Sequence, residues 1–276
     1  MNRRLLLRSA SHATALGLVA LLAGCGASHR PAVTTAPRQL HQFRVVFPEG
    51  FTRAQMAERV QAVARIAHTE RHVRPKISAK EYLAASRPQR IPGFGAGKLP
   101  LEGFLFPSTY FFDRKTTSAA LVHAQLQAFR SEWQNVDLSY ARSKDLTPYD
   151  VLKIASMVER EAVVPSERKL VAAVIYNRLH AHMPLGIDAT IRYGLNVPGT
   201  KPLLQSELDS DNPYNTRKFL GLPPTPIANP GLASIEAAAN PAHVDYLYFV
   251  RKPDKRHHYF TSNYRDFVNH EHLYGY

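Results

Sequence analysis

Cysteine is almost absent from this sequence. Cys25 is its only one, so no disulfide can form within the chain. Acidic residues are also scarce: 22 Asp and Glu stand against 35 Lys and Arg, a formal net charge of +13. That surplus favours an anionic partner, and nucleic acid, anionic lipid headgroups and cell-wall polymers all satisfy it. Long apolar runs are missing too. The longest, residues 13–22, falls well short of the roughly 20 residues a membrane-spanning helix needs. No period of roughly 20 to 50 residues recurs, which excludes a repeat architecture. What is present is an ordinary globular balance, 45% hydrophobic and 21% charged in 276 residues, which excludes disorder as the dominant state. The length suits one large domain or two modest ones.

The place of the cysteine says more than its number. Arg3, Arg4 and Arg8 precede the apolar run, which ends in Leu22-Ala23-Gly24-Cys25. A positive start, a short apolar core and small residues before Cys form a lipoprotein signal peptide over residues 1–25. On this reading the mature chain begins at Cys25, whose thiol carries the lipid, and the body is exported and membrane-anchored. Export excludes intracellular nucleic acid as the partner. Gly26 follows, with no Asp retention signal, so delivery to an outer membrane is expected where the cell has one.

Residues 26–42 are rich in Ala, Thr, Pro and His without a period, and read as a flexible tether. Residues 43–47 (Phe-Arg-Val-Val-Phe) predict a strand. Thr52 with Gln55 three positions on predicts a capped helix with Met56, Val60, Val63 and Ala64 inward. A second helix should hold Glu81, Tyr82 and Leu83, closing a small α/β unit over 43–88. Residues 89–100, with Pro92, Gly93, Gly95, Gly97 and Pro100, read as a linker. The larger unit, 101–276, opens with the apolar turn 101–107, a strand at 110–112 and a helix over about 118–134. The fold class is therefore α+β.

Residues 147–162 give the clearest helix. Thr147 caps it, Pro148 suits its first position and Asp150 complements its dipole. Val151, Ile154, Ala155, Val158 and Ala162 make one apolar stripe. At about 100° per residue, Glu159 and Glu161 fall on opposite flanks of that stripe and Arg160 points away. A carboxyl half in the core and half in a cleft is desolvated, which keeps a proton available near neutral pH. Alone, a Glu-Arg-Glu run is more often a solvated face. A further helix is predicted from Pro165 through Leu179. Residues 183–194 then read as a loop bringing Asp188 and Thr190 beside a Tyr. Two segments dense in Pro, Gly and Asn follow, 212–216 and 221–231; with Tyr, Leu and Ile interleaved they read as rigid loops, suited to a glycan or to structural turns. Residues 246–250 (Tyr-Leu-Tyr-Phe-Val) predict a buried strand, returning through His258 to Thr261.

In this order, residues 47–52, 101–110, 155–161, 177–179, 185–194, 213–216, 221–231 and 246–250 resemble the endolytic murein transglycosylase (YceG-like) family, over roughly residues 43–264. The resemblance implies a small LysM-like domain followed by an α+β catalytic domain. It implies a lyase that cuts the MurNAc–GlcNAc β-1,4 bond within glycan strands and leaves 1,6-anhydro-MurNAc ends. It puts the catalytic acid/base at Glu159, a supporting carboxylate at Glu161, and site-lining positions at Glu102, Asp188, Thr190, Tyr214, Asn215 and Thr216. No cofactor and no metal are implied. The partners implied are peptidoglycan strands and cell-wall synthesis machinery; the lipobox adds the membrane, through Cys25. Four departures stand out: a lipobox in place of a transmembrane anchor, Gly186 where a Gln is common, Thr225 between Pro224 and Pro226, and Phe267 about where a His is usual, with His270 nearby.

Three other readings compete. A hydrolase would use Asp188 or Glu161 to position water. A peptidoglycan-binding lipoprotein would need no chemistry. A metal-dependent hydrolase would use some of the 13 His, but 180–182, 257–258 and 270–272 lack a metal-ligand spacing.

Overall fold

The first described strand finds its partner more than sixty residues later. In the computed structural model, residues 43–276 are described; the signal segment, Cys25 and the tether lie outside the described residues. Strand β1 (Phe43–Val46) pairs antiparallel with β4 (Thr109–Phe112), Phe43 opposite Phe112 and Val46 opposite Thr109. Between them come α1 (Arg53–Arg71), α2 (Ala79–Ala85) and a minimal ladder of β2 (Gln89–Arg90) with β3 (Lys98–Leu99). The capping box of α1 forms as its sequence predicts, Thr52 Oγ1 accepting from the Gln55 amide and Gln55 Oε1 from the Thr52 amide. Tyr82 on α2 is fully buried, its hydroxyl donating to Gln125 Oε1. Within the breaker-rich stretch, Phe94 is buried and packs edge-on against Phe104 and beside Trp133.

The second half is mostly helical: α3 (Ser118–Trp133), α4 (Ser139–Arg142), α5 (Pro148–Glu161), a single 3-10 turn (Pro165–Glu167), α6 (Arg168–His180), α7 (Asp188–Leu195), α8 (Gln205–Leu208) and α9 (Leu232–Ala239). The chain ends with the hairpin of β5 (Tyr248–Arg251) and β6 (His258–Thr261), then α10 (Tyr264–Tyr274). Helices and small antiparallel sheets occupy separate stretches, which makes the architecture α+β. α5 lies at its centre, packed on α9 and α6. Its stripe Val151, Ile154, Ala155 and Val158 is inaccessible to solvent, and so are Leu152, Ser156 and Met157. One core cluster includes Val45 and Met56 from before the breaker-rich stretch and Phe104, Leu152 and Ile235 from beyond it. No helix among the described residues is long and apolar enough to cross a membrane.

Two local expectations change. The segment expected as a loop over 183–194 becomes helix α7 from Asp188 onward, because Thr190 and Ile191 are buried and fold its single apolar face inward. The expected buried strand is only half-buried. β5 and β6 make a two-stranded sheet covered by α10 on one side, so only Val250 in β5 is enclosed.

Candidate functional site

The C-terminal end of α5 presents its two carboxylates to different surroundings. Glu161, its side chain 13% exposed, lines a cavity of about 850 Å³ together with Asp188, Arg178, Arg217, Tyr248 and Arg251. Burial pushes its carboxyl above the ordinary Glu range. The Arg251 guanidinium, 3.8 Å away, opposes that shift and the Asp188 carboxylate adds to it. Asp188 stands at the first position of α7 and is held by Arg217, whose Nε and Nη2 donate to Asp188 Oδ1 at 2.9 and 2.6 Å.

Glu159 turns to the other flank of α5. It is half-buried, and its Oε2 accepts a 3.1 Å hydrogen bond from the Gly231 amide. The Glu49 carboxyl lies over the same glycine, so closely that a Cβ there would overlap it. Partial burial of Glu49 and the charge of Glu159 push the Glu49 carboxyl up, with Arg168 opposing. Sequence reasoning missed Glu49, although it stands in the matching block 47–52.

The remaining expected site residues divide by burial. Thr190, Asn215 and Thr216 are enclosed. Thr190 Oγ1 and Thr216 Oγ1 lie 3.0 Å apart, and Thr216 Oγ1 accepts from the Ile187 amide, so the two threonines fasten the turn that leads into α7. Asn215 Nδ2 donates to the carbonyls of Leu208 and Ser210. Tyr214 packs edge-on against Tyr193, its hydroxyl 2.7 Å from Thr225 Oγ1. Glu102, also enclosed, accepts from the Arg53 amide, Asn229 Nδ2 and the Tyr193 hydroxyl. Burial pushes its carboxyl up to about 7 against those three donors. Glu102, Thr190, Asn215 and Thr216 are thus held by hydrogen bonds inside the fold, while Tyr214 is half-buried. Of the residues expected at a site, the cavity gathers Glu161 and Asp188.

Its other walls come from elements the motif reading left without a role. Arg178 was visible only as part of a matching block. Phe267 stacks on Tyr248 with ring centroids 5.2 Å apart. His270 stacks on Tyr259 instead of entering the cavity. His258 lines the wall with its Nδ1 2.7 Å from Glu167 Oε2, while its backbone amide donates to Glu167 Oε1. Burial pushes the His258 imidazole down in spite of that carboxylate. Among the described residues, no group of three His, Cys, Asp or Glu side chains is placed to hold a metal ion.

A helix end thus carries one desolvated carboxyl toward an arginine- and aromatic-lined cavity, an arrangement suited to acid/base chemistry. The sequence gives the family: the YceG-like family model matches residues 26–272, and the chain belongs to that family. It is similar to the endolytic murein transglycosylase of Streptococcus pneumoniae (strain ATCC BAA-255 / R6), 31% identical over 255 residues, 84% of this chain and 45% of that one. It is likewise similar to the endolytic murein transglycosylase of Bacillus subtilis (strain 168), 40% identical over 156 residues, 56% of this chain and 43% of that one. The chain thus spans a little under half the length of these curated relatives. In structure it resembles a yceG-like protein of Listeria monocytogenes, with a TM-score of 0.62 and 28% identity, covering 82% of this chain and 74% of that one.

Proposed function

We propose that this protein is an endolytic lytic transglycosylase, a lyase of the cell envelope that cleaves the MurNAc–GlcNAc β-1,4 bond within peptidoglycan strands. Family membership supports the reaction class. The observation that carries the site is the desolvated Glu161 carboxyl at the wall of the cavity, with Asp188 and Arg251 beside it. On this reading the two motif carboxylates exchange the roles the resemblance gives them: Glu161 is the acid/base and Glu159 the support.

A protonated Glu161 donates to the oxygen linking MurNAc C1 to GlcNAc. That C1–O bond breaks as positive charge develops on the muramyl ring. The Glu161 carboxylate then takes the proton of the C6 hydroxyl of the same residue, whose oxygen closes on C1 to give the 1,6-anhydro end. The hydroxyl is intramolecular, so no water has to be positioned and one carboxyl serves both steps. A folded-state pKa held above the ordinary Glu range by burial favours the protonated form that supplies the first proton. Glu159, tied to the Gly231 amide, fixes the end of α5 from the opposite side. The second reading, in which Glu159 is the acid/base, is favoured by Glu49, whose raised carboxyl could hold a proton beside it.

In the same proposal, β1, α1, α2 and β4 form the LysM-like module, closed by the strand beyond the linker at 89–100, and the rest of 101–276 forms the catalytic part. Also in this proposal, Cys25 carries the lipid that holds the exported chain at the membrane, and cell-wall synthesis machinery is its expected neighbour.

The test is digestion of purified peptidoglycan with product masses resolved, for wild type, Glu161→Gln and Glu159→Gln. The expected result is 1,6-anhydro-MurNAc ends from wild type, with a loss of roughly 10²- to 10⁴-fold in Glu161→Gln and a smaller one in Glu159→Gln. Reducing ends would mean hydrolysis. A deeper loss in Glu159→Gln would return the acid/base to that residue, and binding without cleavage would favour a non-catalytic role.

A further inference from the structure

Arg178 gives the cavity wall a charge that no carboxylate balances. It stands on the last turn of α6, half-buried, with Nε donating to the Leu247 carbonyl at 2.6 Å and Nη1 to the Leu185 carbonyl at 2.7 Å. The Tyr248 ring lies over it, 5.3 Å from Cζ. Among the described residues no carboxylate pairs with it. Burial works against the Arg178 charge, Tyr248 favours it, and Arg217, a second cation lining the same cavity, opposes it. Arg217 is itself half-exposed and spends Nε and Nη2 on one oxygen of Asp188. Arg178 Nη2 and Arg217 Nη1 have no hydrogen-bond partner among the described residues. Across the whole wall, five arginines face three carboxylates. Gly186 adds access, since a Cβ there would come within 3.1 Å of Arg178 Nη1.

A partly desolvated guanidinium sharing a cavity with a second one is unfavourable until an anion arrives, and one free nitrogen from each matches the two oxygens of a carboxylate. We propose that Arg178 and Arg217 form a carboxylate-binding subsite of the Glu161 cavity, which takes the carboxylate carried by the lactyl arm of a muramyl residue. That group is either the lactyl carboxylate itself or a carboxylate of the attached stem peptide. The proposal rests on the transglycosylase reading and extends it: the cavity selects muramyl-containing strands over neutral glycans of the same backbone. The exposed ring of Tyr264, beside Tyr248 and Phe267, offers the adjoining sugar a stacking face.

The experiment measures binding by calorimetry with the full chain carrying both Glu161→Gln and Glu159→Gln, which removes turnover whichever carboxyl is the acid/base. The probes are uncrosslinked peptide-bearing strands, strands stripped of peptides by an amidase, the stripped strands with their lactyl carboxylates converted to amides, and a chitin oligosaccharide. Carboxylate-bearing strands should bind roughly tenfold or more tighter than the amidated and chitin probes, with an advantage that shrinks as salt rises. Adding Arg217→Gln should remove that advantage and leave the neutral probes unchanged. Adding Asp188→Asn, which frees Arg217, should preserve or enlarge it. A purely structural Arg217–Asp188 pair would instead weaken all probes alike in both variants. Tighter binding of peptide-bearing strands assigns the stem peptide as the source, and equal or tighter binding of stripped strands assigns the lactyl group. Equal affinity for carboxylated and amidated strands overturns the subsite alone. Binding to none of the probes overturns it together with the transglycosylase reading.

Discussion

Glu159 and Glu161 stand two residues apart, yet the turn of α5 sends one against Gly231 and Glu49 and the other into the cavity. If Glu161 must be protonated to act, activity should fall as pH rises through its raised pKa, and a kcat profile from acid to alkaline pH would reveal that limb. A profile flat across that range would remove Glu161 as the acid. Glu102 makes a separate pH prediction. Burial raises its carboxyl from 4.5 to about 7. Between those values the folded chain holds a proton that the unfolded chain has released. Its contribution to stability is therefore complete below the unfolded value and is lost as pH rises through about 7. Wild type should lose up to ~3 kcal/mol from this source across that window, and Glu102→Gln should lack that slope. Urea unfolding at the two ends of the window decides it, and an unchanged slope in the variant would put the proton elsewhere. The motif blocks held Thr190, Asn215, Thr216 and Glu102, but a polar side chain looks the same in sequence whether it faces a ligand or a carbonyl inside the core.

At the scale of elements, local signals were legible wherever a cap and a period agreed. α5 begins as its sequence predicts, with Thr147 Oγ1 accepting from the Asp150 amide and Asp150 Oδ2 from the Thr147 amide. Thr147→Ala should cost about 1 kcal/mol in thermal or denaturant unfolding and leave the position of the cavity residues, hence KM, unaltered. α9 went unread although Leu232–Ala239 is rich in strong helix formers, because the Pro- and Gly-dense run before it dominated the reading. α7 is too short to display a period, and α10 encloses none of its side chains, so no inward stripe marks it.

Across the whole molecule, two buried polar residues join segments far apart in sequence. Asn229 Oδ1 accepts from the amides of Gly103 and Leu105, while Nδ2 donates to the Phe51 carbonyl and to Glu102. Asn229→Ala should destabilise the chain by several kcal/mol, on the order of 3, with a matching fall in Tm; a change under about 1 kcal/mol would mean that water replaces all four bonds. Glu167 holds both the amide and Nδ1 of His258, tying the turn after α5 to the hairpin that carries Arg251. Glu167→Ala should therefore cost stability and also displace Arg251 from Glu161, which a shift in the pH profile would report where a merely structural loss would not. The sequence by itself determined the α+β class, the caps and stripe of α5, the two carboxylates on its opposite flanks and the family, because periods, caps and ordered motifs are local and survive without coordinates. Only the tertiary structure decided that β1 pairs with β4, that Glu161 and not Glu159 meets the cavity, and that Arg178 lies there without a counter-charge. Each of those depends on which surfaces are buried against which, and desolvation is a property of the packed chain.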